Sequence, residues 1–295
     1  MINEGTQKLL SAKEAGVPLL GEIVTWSIGN NGSRIDHTKI TSALTTIFDE
    51  KTAKRVAKDF APKSAFVRAC RKMSKEKVIN ILDQNASSVI FQFNRIERNA
   101  EQIDYGYEAK LTLDKHTGHI DCTDTALAER ATGLLAHEMA NRNAMDITTM
   151  VQKLMRENAD LFSVRDQGGC YFVPQMHCDY VDKVEGFVKQ IGGRMNRLPI
   201  ADFTQRGKLA VKEIINLGLD DMVADHVKAV DKFDEDTRVS TMKRRAEIIK
   251  KTEFKLECYA EFLQERKEHI VKQIKEAKKL LSNKLASAAA KSMSK

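Results

Sequence analysis

Residues 256–288 read LECYAEFLQERKEHIVKQIKEAKKLLSNKLASA. Leu256, Leu263, Ile270 and Ala277 recur every seven residues. Ala260, Ile274, Leu281 and Ala288 fall four places later in the same frame, and Lys267 and Lys284 interrupt it. Such a stripe belongs to a long helix that must bury one seam. Two architectures bury it equally well: an αα-hairpin within the chain, or a coiled coil between chains. The periodicity leaves both open.

The surroundings are helical as well. Leu219–Lys295 contains no Gly and no Pro, although average usage would place about one in every eight residues. One long helix is expected from about Thr237 to Ala288. Before it, Asp202 reads as the N-cap of a helix through Leu217, closed by Gly218, and Asp220–Val230 reads as another. The acidic run Asp231–Asp236 would turn the chain into the final helix.

Upstream the pattern changes to short mixed elements. GEIVTWSI (Gly21–Ile28) is β-rich and ends in a Gly-Asn-Asn-Gly turn. Asp36 reads as the N-cap of a helix with Ile40, Leu44 and Ile47 at helical spacing; a second helical stretch covers Lys51–Phe60 and a third Ser64–Met73. Ser88–Phe93 and Ile103–Leu113 read as strands, the latter turning at Lys115–Gly118 to pair with His119–Cys122. Thr123–Asp160 is helical in two pieces broken near Asn141–Asn143. Leu161–Pro174 forms a tight hairpin at Gly168-Gly169, whose freedom at positive φ suits a two-residue turn. Tyr171, Phe172 and Pro174 build its return strand. His177–Ile191 is a helix stopped by Gly192-Gly193, and Arg197–Ile200 is extended. The fold class is therefore α+β: a mixed body with β-hairpins over residues 1–200, then a helical, basic region over 201–295.

Two pieces carry a resemblance. Trp26-Ser27 on the first strand, then Gly168-Gly169-Cys170-Tyr171-Phe172-Val173-Pro174 and Leu198-Pro199, are similar to a phage- and plasmid-borne protein family of unknown function. The resemblance implies a mobile-element origin and carries no catalytic residues with it.

Charge is segregated. Residues 238–295 hold 16 Lys+Arg against 7 Asp+Glu, while the whole chain holds 48 against 41, so the rest is close to neutral. Lys243, Arg244, Arg245, Lys250 and Lys251 form one basic cluster. Lys272, Lys275 and Lys279 share one helix face at i, i+3, i+7. Such a stripe suits phosphates, but Glu247→Lys251 and Glu268→Lys272 are also i,i+4 pairs that stabilise an exposed helix. No aromatic interleaving is evident for stacking bases. On the apolar side, Leu256, Leu263, Ile270, Ile274 and Leu281 are the packing or oligomer residues.

Catalytic patterns are weak. His137-Glu138-Met139-Ala140-Asn141 begins like a metalloprotease helix, but Asn141 stands where the second His is required. His116, His119 and Cys122, with Cys170, His177 and Cys178, offer zinc-compatible ligands at no recognised spacing. Asp104, Glu108 and Lys110 share a strand face as in a metal-dependent nuclease, and a solvated polar face explains them as well. There is no phosphate-binding loop, no dinucleotide fingerprint and no nucleophile elbow. No cofactor and no metal is expected. The five cysteines are odd in number and scattered, which fits a reducing cytosol. The opening MINEGT lacks a secretory pattern, and no apolar run is long enough to cross a membrane; a cytoplasmic protein is expected.

The leading expectation is a non-enzymatic, phage-encoded protein that forms a homo-oligomer or docks on a host or phage complex, for example to antagonise a host defence system. The alternative is a nucleic-acid-associated accessory factor of replication or packaging.

Overall fold

A computed structural model describes residues 18–29, 34–73, 77–98, 103–234, 237–263 and 267–293. In chain order the elements are β1 (Leu19–Ser27), β2 (Arg34–Asp36), α1 (His37–Ile47), α2 (Glu50–Val56), α3 (Pro62–Met73), β3 (Lys77–Gln84), β4 (Ser88–Arg98), β5 (Ile103–Asp114) and β6 (Ile120–Cys122). There follow α4 (Thr125–Ala140), β7 (Asn141–Asn143), α5 (Ala144–Asn158), β8 (Phe162–Ser163), β9 (Tyr171–Pro174), a 3₁₀ turn (Gln175–His177), α6 (Cys178–Gln190), β10 (Arg194–Ala201), α7 (Gln205–Asp231), α8 (Val239–Cys258), α9 (Ala260–Leu263) and α10 (Lys267–Met293). The class is α+β, with the helices gathered in the C-terminal half. Contacts divide the chain into two compact units, each assembled from separate segments. The boundary expected at residue 200 falls inside β10.

One unit comprises Trp26–Glu157 and Asp182–Met195. Its antiparallel sheet runs β3-β4-β5-β6. Alternation on β4 and β5 turns Val89, Phe91, Phe93, Leu111 and Leu113 to one face, where α3 and α4 cover them. Phe66 meets Phe91 edge to face at 5.1 Å. The Asp114 carboxylate accepts from the His116 and Thr117 amides and so closes the expected β5–β6 turn.

Helix boundaries in this unit follow side-chain caps. Asp36 accepts from the Thr38 amide and Asp49 from the Thr52 amide. The second helix ends at Val56 rather than Phe60, and the third begins at Pro62, where a missing N–H costs nothing. The reason lies at Phe60, whose ring lies under the guanidinium groups of Arg142 (3.9 Å) and Arg68 (4.3 Å). The break between α4 and α5 pairs with β2 and ends in a reciprocal cap. Asn143 Oδ1 accepts from the Asp146 amide, and Asp146 Oδ2 from the Asn143 amide.

The other unit comprises segments through Thr25, Asn158–Val181 and Asn196–Lys295. Its sheet runs β10-β1-β9-β8, and β9 is buried along its length. Phe162 and Phe172 join Val211, Ile215, Leu219, Val223, Ile249, Ile270 and Ile274 in one core. Here α7, α8 and α10 pack on one another as a three-helix bundle.

Several expectations change here. The β8–β9 hairpin exists, but its connection spans residues 164–170 instead of two residues. Gly168 and Gly169 do adopt φ of 68° and 79°, and Val164 N bonds Cys170 O across the loop. The helix expected to end at Gly218 continues as one 27-residue helix, capped by Thr204 and not by Asp202. Gly218 is there for space: a Cβ would stand 2.6 Å from the Phe162 ring. The single final helix is interrupted at Tyr259, which separates α8 from α9; residues 264–266, between α9 and α10, lie outside the described residues. Lys284, an interruption of the heptad, donates to the carbonyls of Val230, Asp231 and Phe233 at 2.7–3.1 Å. An ammonium there satisfies the orphan carbonyls at the end of α7 and opposes its dipole.

These two glycine settings give opposite expectations. Gly133, inside α4, has open space around its would-be Cβ, so Gly133→Ala should stabilise by up to about 1 kcal/mol. Gly218→Ala should destabilise by roughly 1–3 kcal/mol, because the Phe162 ring must move. Urea denaturation of the two variants distinguishes them; stabilisation by both would mean that α7 and β8 are not in close contact.

Candidate functional site

A buried carboxylate organises the helical unit. Asp160 follows α5, and only 8% of it is exposed. Tyr259, at the helix break, donates to Asp160 Oδ2 at 2.6 Å, and His177 Nε2 lies 3.2 Å from the same oxygen. Lys255 pairs with Oδ1. Burial alone would raise the Asp160 pKa; hydrogen bonds from His177, Lys255 and Tyr259 outweigh it and hold the carboxyl well below the usual range. Burial, then the bond to Asp160, pushes the Tyr259 phenol far up. The Phe162 ring packs edge-on against Tyr259 at 5.4 Å. The arrangement keeps Asp160 charged and Tyr259 protonated at neutral pH, which makes it a clamp rather than a proton shuttle.

A second buried titratable group in that unit is also engaged locally. His226 on α7 lies 2.8 Å from Thr252 Oγ1 and 3.1 Å from Arg245 Nη1. Burial and then the Arg245 charge lower its pKa, leaving a neutral imidazole.

In the other unit, Glu138 is fully buried and pairs with Arg34 and Lys72. Burial opposes its ionisation, but the Lys72 hydrogen bond and the Arg34 charge bring its pKa below the ordinary value. Arg142 is equally buried and donates to the carbonyls of Met139 and Asn141. Arg68 holds Asp146 through two bonds of 2.7 Å. Beside them, α1 and the segment after α2 line a groove of about 740 Å³ containing His37, Thr41, Ser42, Lys58 and Asp59. His37 Nε2 lies 3.0 Å from Asp59. Burial and the Arg142 charge lower the His37 pKa. The hydroxyls of Thr41, Thr45 and Thr46 donate to helix carbonyls, so none of these three is poised as a nucleophile.

Exposed cations cluster on α8 and α10. Lys243, Arg244, Lys250 and Lys251 are exposed on α8, and Lys272, Lys275 and Lys279 on α10. Among the described residues none of these seven closes an ion pair. The expected Glu247–Lys251 and Glu268–Lys272 pairs are likewise open, whereas Lys278 reaches Glu253 at 2.8 Å. Lys272, Lys275 and Lys279 line a shallow groove with Val271, Glu268 and Glu276. Phe254 is 66% exposed, three and four residues beyond Lys251 and Lys250 on the same face. Sequence reading found no aromatic among these lysines; the i+4 spacing from Lys250 to Phe254 was the available signal.

The remaining sequence candidates are placed as follows. Arg245 turns into the bundle against His226 and leaves the basic cluster. Leu256, Leu263, Ile270, Ile274 and Leu281 are buried within their own unit. Tyr171, Phe172 and Pro174 are buried on β9. The metalloprotease-like stretch resolves with Glu138 paired to Arg34 and Lys72, while the Asn141 amide donates to the His137 carbonyl. His177 engages Asp160, and Cys178 is buried with Sγ 3.8 Å from the Pro174 carbonyl. Among the described residues no three His, Cys, Asp or Glu side chains converge as metal ligands do. Lys110 is exposed on β5; the side chains of Asp104 and Glu108 lie outside the described residues.

Residues 19–291 match the profile of a protein family described as "Family of unknown function (DUF6744)". No curated protein and no solved structure matches. No described helix is long and apolar enough to cross a membrane.

The clamp has a pH signature. Since its pKa is depressed from the ordinary 3.8, Asp160 contributes stability in full above that range and loses it as pH falls toward strong acid. Asp160→Asn should cost about 3 kcal/mol at pH 7, because Lys255 loses its counter-charge, and should flatten the acid limb of stability against pH. Wild-type stability of this variant at pH 7 would show that the clamp contributes nothing.

Proposed function

The chain belongs to that family of unknown function, and from this premise we propose a non-enzymatic, phage-encoded binding protein that docks on a macromolecular complex of its host or its phage. The observation that carries the reading is the contrast between interior and surface charge. The buried ionisable groups described above are engaged by neighbours within their own unit. Exposed cations gather on α8 and α10, around an exposed Phe254. Aromatic and basic side chains together form the usual anchor of a protein interface: an apolar body to bury and cations to orient it. The acidic residues Glu247, Glu268 and Glu276 interleave with the lysines and favour a protein partner of mixed charge. Antagonism of a host defence complex is one form this reading takes, suited to a mobile-element protein.

A nucleic-acid partner is the second reading, favoured by Phe254 itself. An exposed ring beside Lys250 and Lys251 is what a stacked base and its phosphates require. The same carboxylates weigh against it, since they oppose a polyanion along the groove.

A photo-crosslinking phenylalanine at position 254, introduced in the cell that carries the gene, separates the two. The proposal expects protein adducts that disappear with Lys250→Glu/Lys251→Glu. Adducts to nucleic acid with the same charge dependence would replace the first reading by the second. Adducts indifferent to the charge reversal, or none, would remove the face as a docking site.

A further inference from the structure

A polar relay crosses the apolar contact between α7 and α8. Val223 and Val230 flank His226 on the buried side of α7, and Ile249 and Leu256 flank Thr252 on the buried side of α8. His226 and Thr252 are the polar residues among them, and both are buried. The geometry fixes where each proton of the relay sits. A guanidinium has no lone pair to offer, so in the 3.1 Å contact between Arg245 Nη1 and His226 Nδ1 the arginine donates and the ring nitrogen accepts. The proton of the neutral ring is therefore on Nε2, which donates to Thr252 Oγ1 at 2.8 Å. The Thr252 hydroxyl donates in turn to the Ile248 carbonyl at 3.2 Å. Every donor meets an acceptor, and it does so only while the ring carries a single proton.

A second proton on the ring lands on Nδ1. It turns the acceptor into a donor aimed at the guanidinium, and it sets two cations side by side where little water reaches. The surroundings offer no buried counter-charge. Asp225, the neighbour on α7, is exposed. On α8, Glu253 and Lys255 are engaged by Lys278 and Asp160. α10 brings another cation, Lys284, bound to the carbonyls of Val230, Asp231 and Phe233, and its other charged side chains through Lys279 are exposed. β8 meets α7 at Gly218 through Phe162, about two turns away. The charge of α9 is Glu261, which is exposed.

Burial, then the Arg245 charge, lowers the His226 pKa while α8 is seated. Released to water, the ring returns toward its ordinary 6.5. The seated state thus excludes a proton that the released state accepts. Its stability is complete above that ordinary value and is lost as pH falls below it.

We propose that His226 is an acid-sensitive latch: neutral, it fastens α8 to α7, and protonated, it releases the Arg245–Thr252 stretch of α8. That stretch carries Lys250 and Lys251, one turn before Phe254, so release also dismantles the docking face. This consequence rests on the docking reading above; the latch rests on the relay alone.

Hydrogen exchange of the full chain reads the latch without any partner. It is measured at about pH 7.5 and about pH 5.5, on either side of the ordinary histidine value, and expressed as protection factors so that the intrinsic pH dependence of exchange cancels. Protection of residues 245–252 should fall by up to about tenfold across that interval, the limit for one proton taken up on opening. His226→Gln, whose amide donates and accepts without gaining a proton, should hold its protection. Arg245→Met should shrink the fall, because the second proton then meets no guanidinium. A wild type whose protection holds, or a His226→Gln variant that loses as much, overturns the latch. Should His226→Gln fail to fold by far-UV circular dichroism, Arg245→Met decides: a fall as steep as that of the wild type overturns the proposal. Crosslinking from position 254 in clarified extract at the same two pH values reads the gating of the docking face. Adducts should drop at the lower pH in the wild type and persist with His226→Gln. Wild-type adducts that persist overturn the gating, and adducts absent at both pH values overturn the docking reading while exchange still decides the latch.

Discussion

A carboxylate taken out of water must be surrounded by donors or it will not stay ionised. Asp160 meets that requirement with groups from two distant parts of its unit: His177 from the turn after β9, and Lys255 and Tyr259 from the end of α8. The tyrosine stands where the helical arm breaks. Tyr259 is tied to Asp160 and packed on Phe162, and α8 ends beside it at Cys258. The heptad residues of α10 pack with α7 and α8 of the same chain. Lys284 of α10 caps α7 in the same bundle.

This also explains how the basic surplus is divided. Of the cations in the last third of the chain, Arg245, Lys255, Lys278 and Lys284 are each engaged by an imidazole, a carboxylate or a helix end. A count of Lys and Arg treats them as one basic arm. The fold sorts them into internal fasteners and an outward set, much of it gathered on α8 and α10.

What was legible in the sequence is what local chemistry decides. The caps at Asp36, the β5–β6 turn, the interruption at Asn141–Asn143 and the positive φ of Gly168 and Gly169 are written in neighbouring residues. Membership of a family of unknown function was legible too; the phage or plasmid origin remains part of the proposal. The misread positions are those where a distant residue decides. Gly218 looks like a helix terminator, yet it is small because Phe162 approaches it from β8. Tyr259 looks like a helical residue, yet Asp160 lies 99 positions away. β3 went unread because Asn80 and Asp83 interrupt its apolar run and its bulge breaks the alternation. The polar clamp was invisible for the same reason: its members are unremarkable singly, and only the fold brings them together.

The directions of the pKa shifts bear on chemistry as well as on stability. A general acid or base works best with a pKa near the ambient pH and an open path to substrate. Here burial and partners drive Asp160 down and Tyr259 up, and burial alone pushes the Cys70 thiol up to about 12. The imidazoles of His37 and His226 are held neutral by burial and by an adjacent guanidinium. These forces are the ones that make a buried polar group affordable, and they move these groups away from proton exchange at neutral pH. The docking proposed at Phe254 calls on none of these groups for proton transfer.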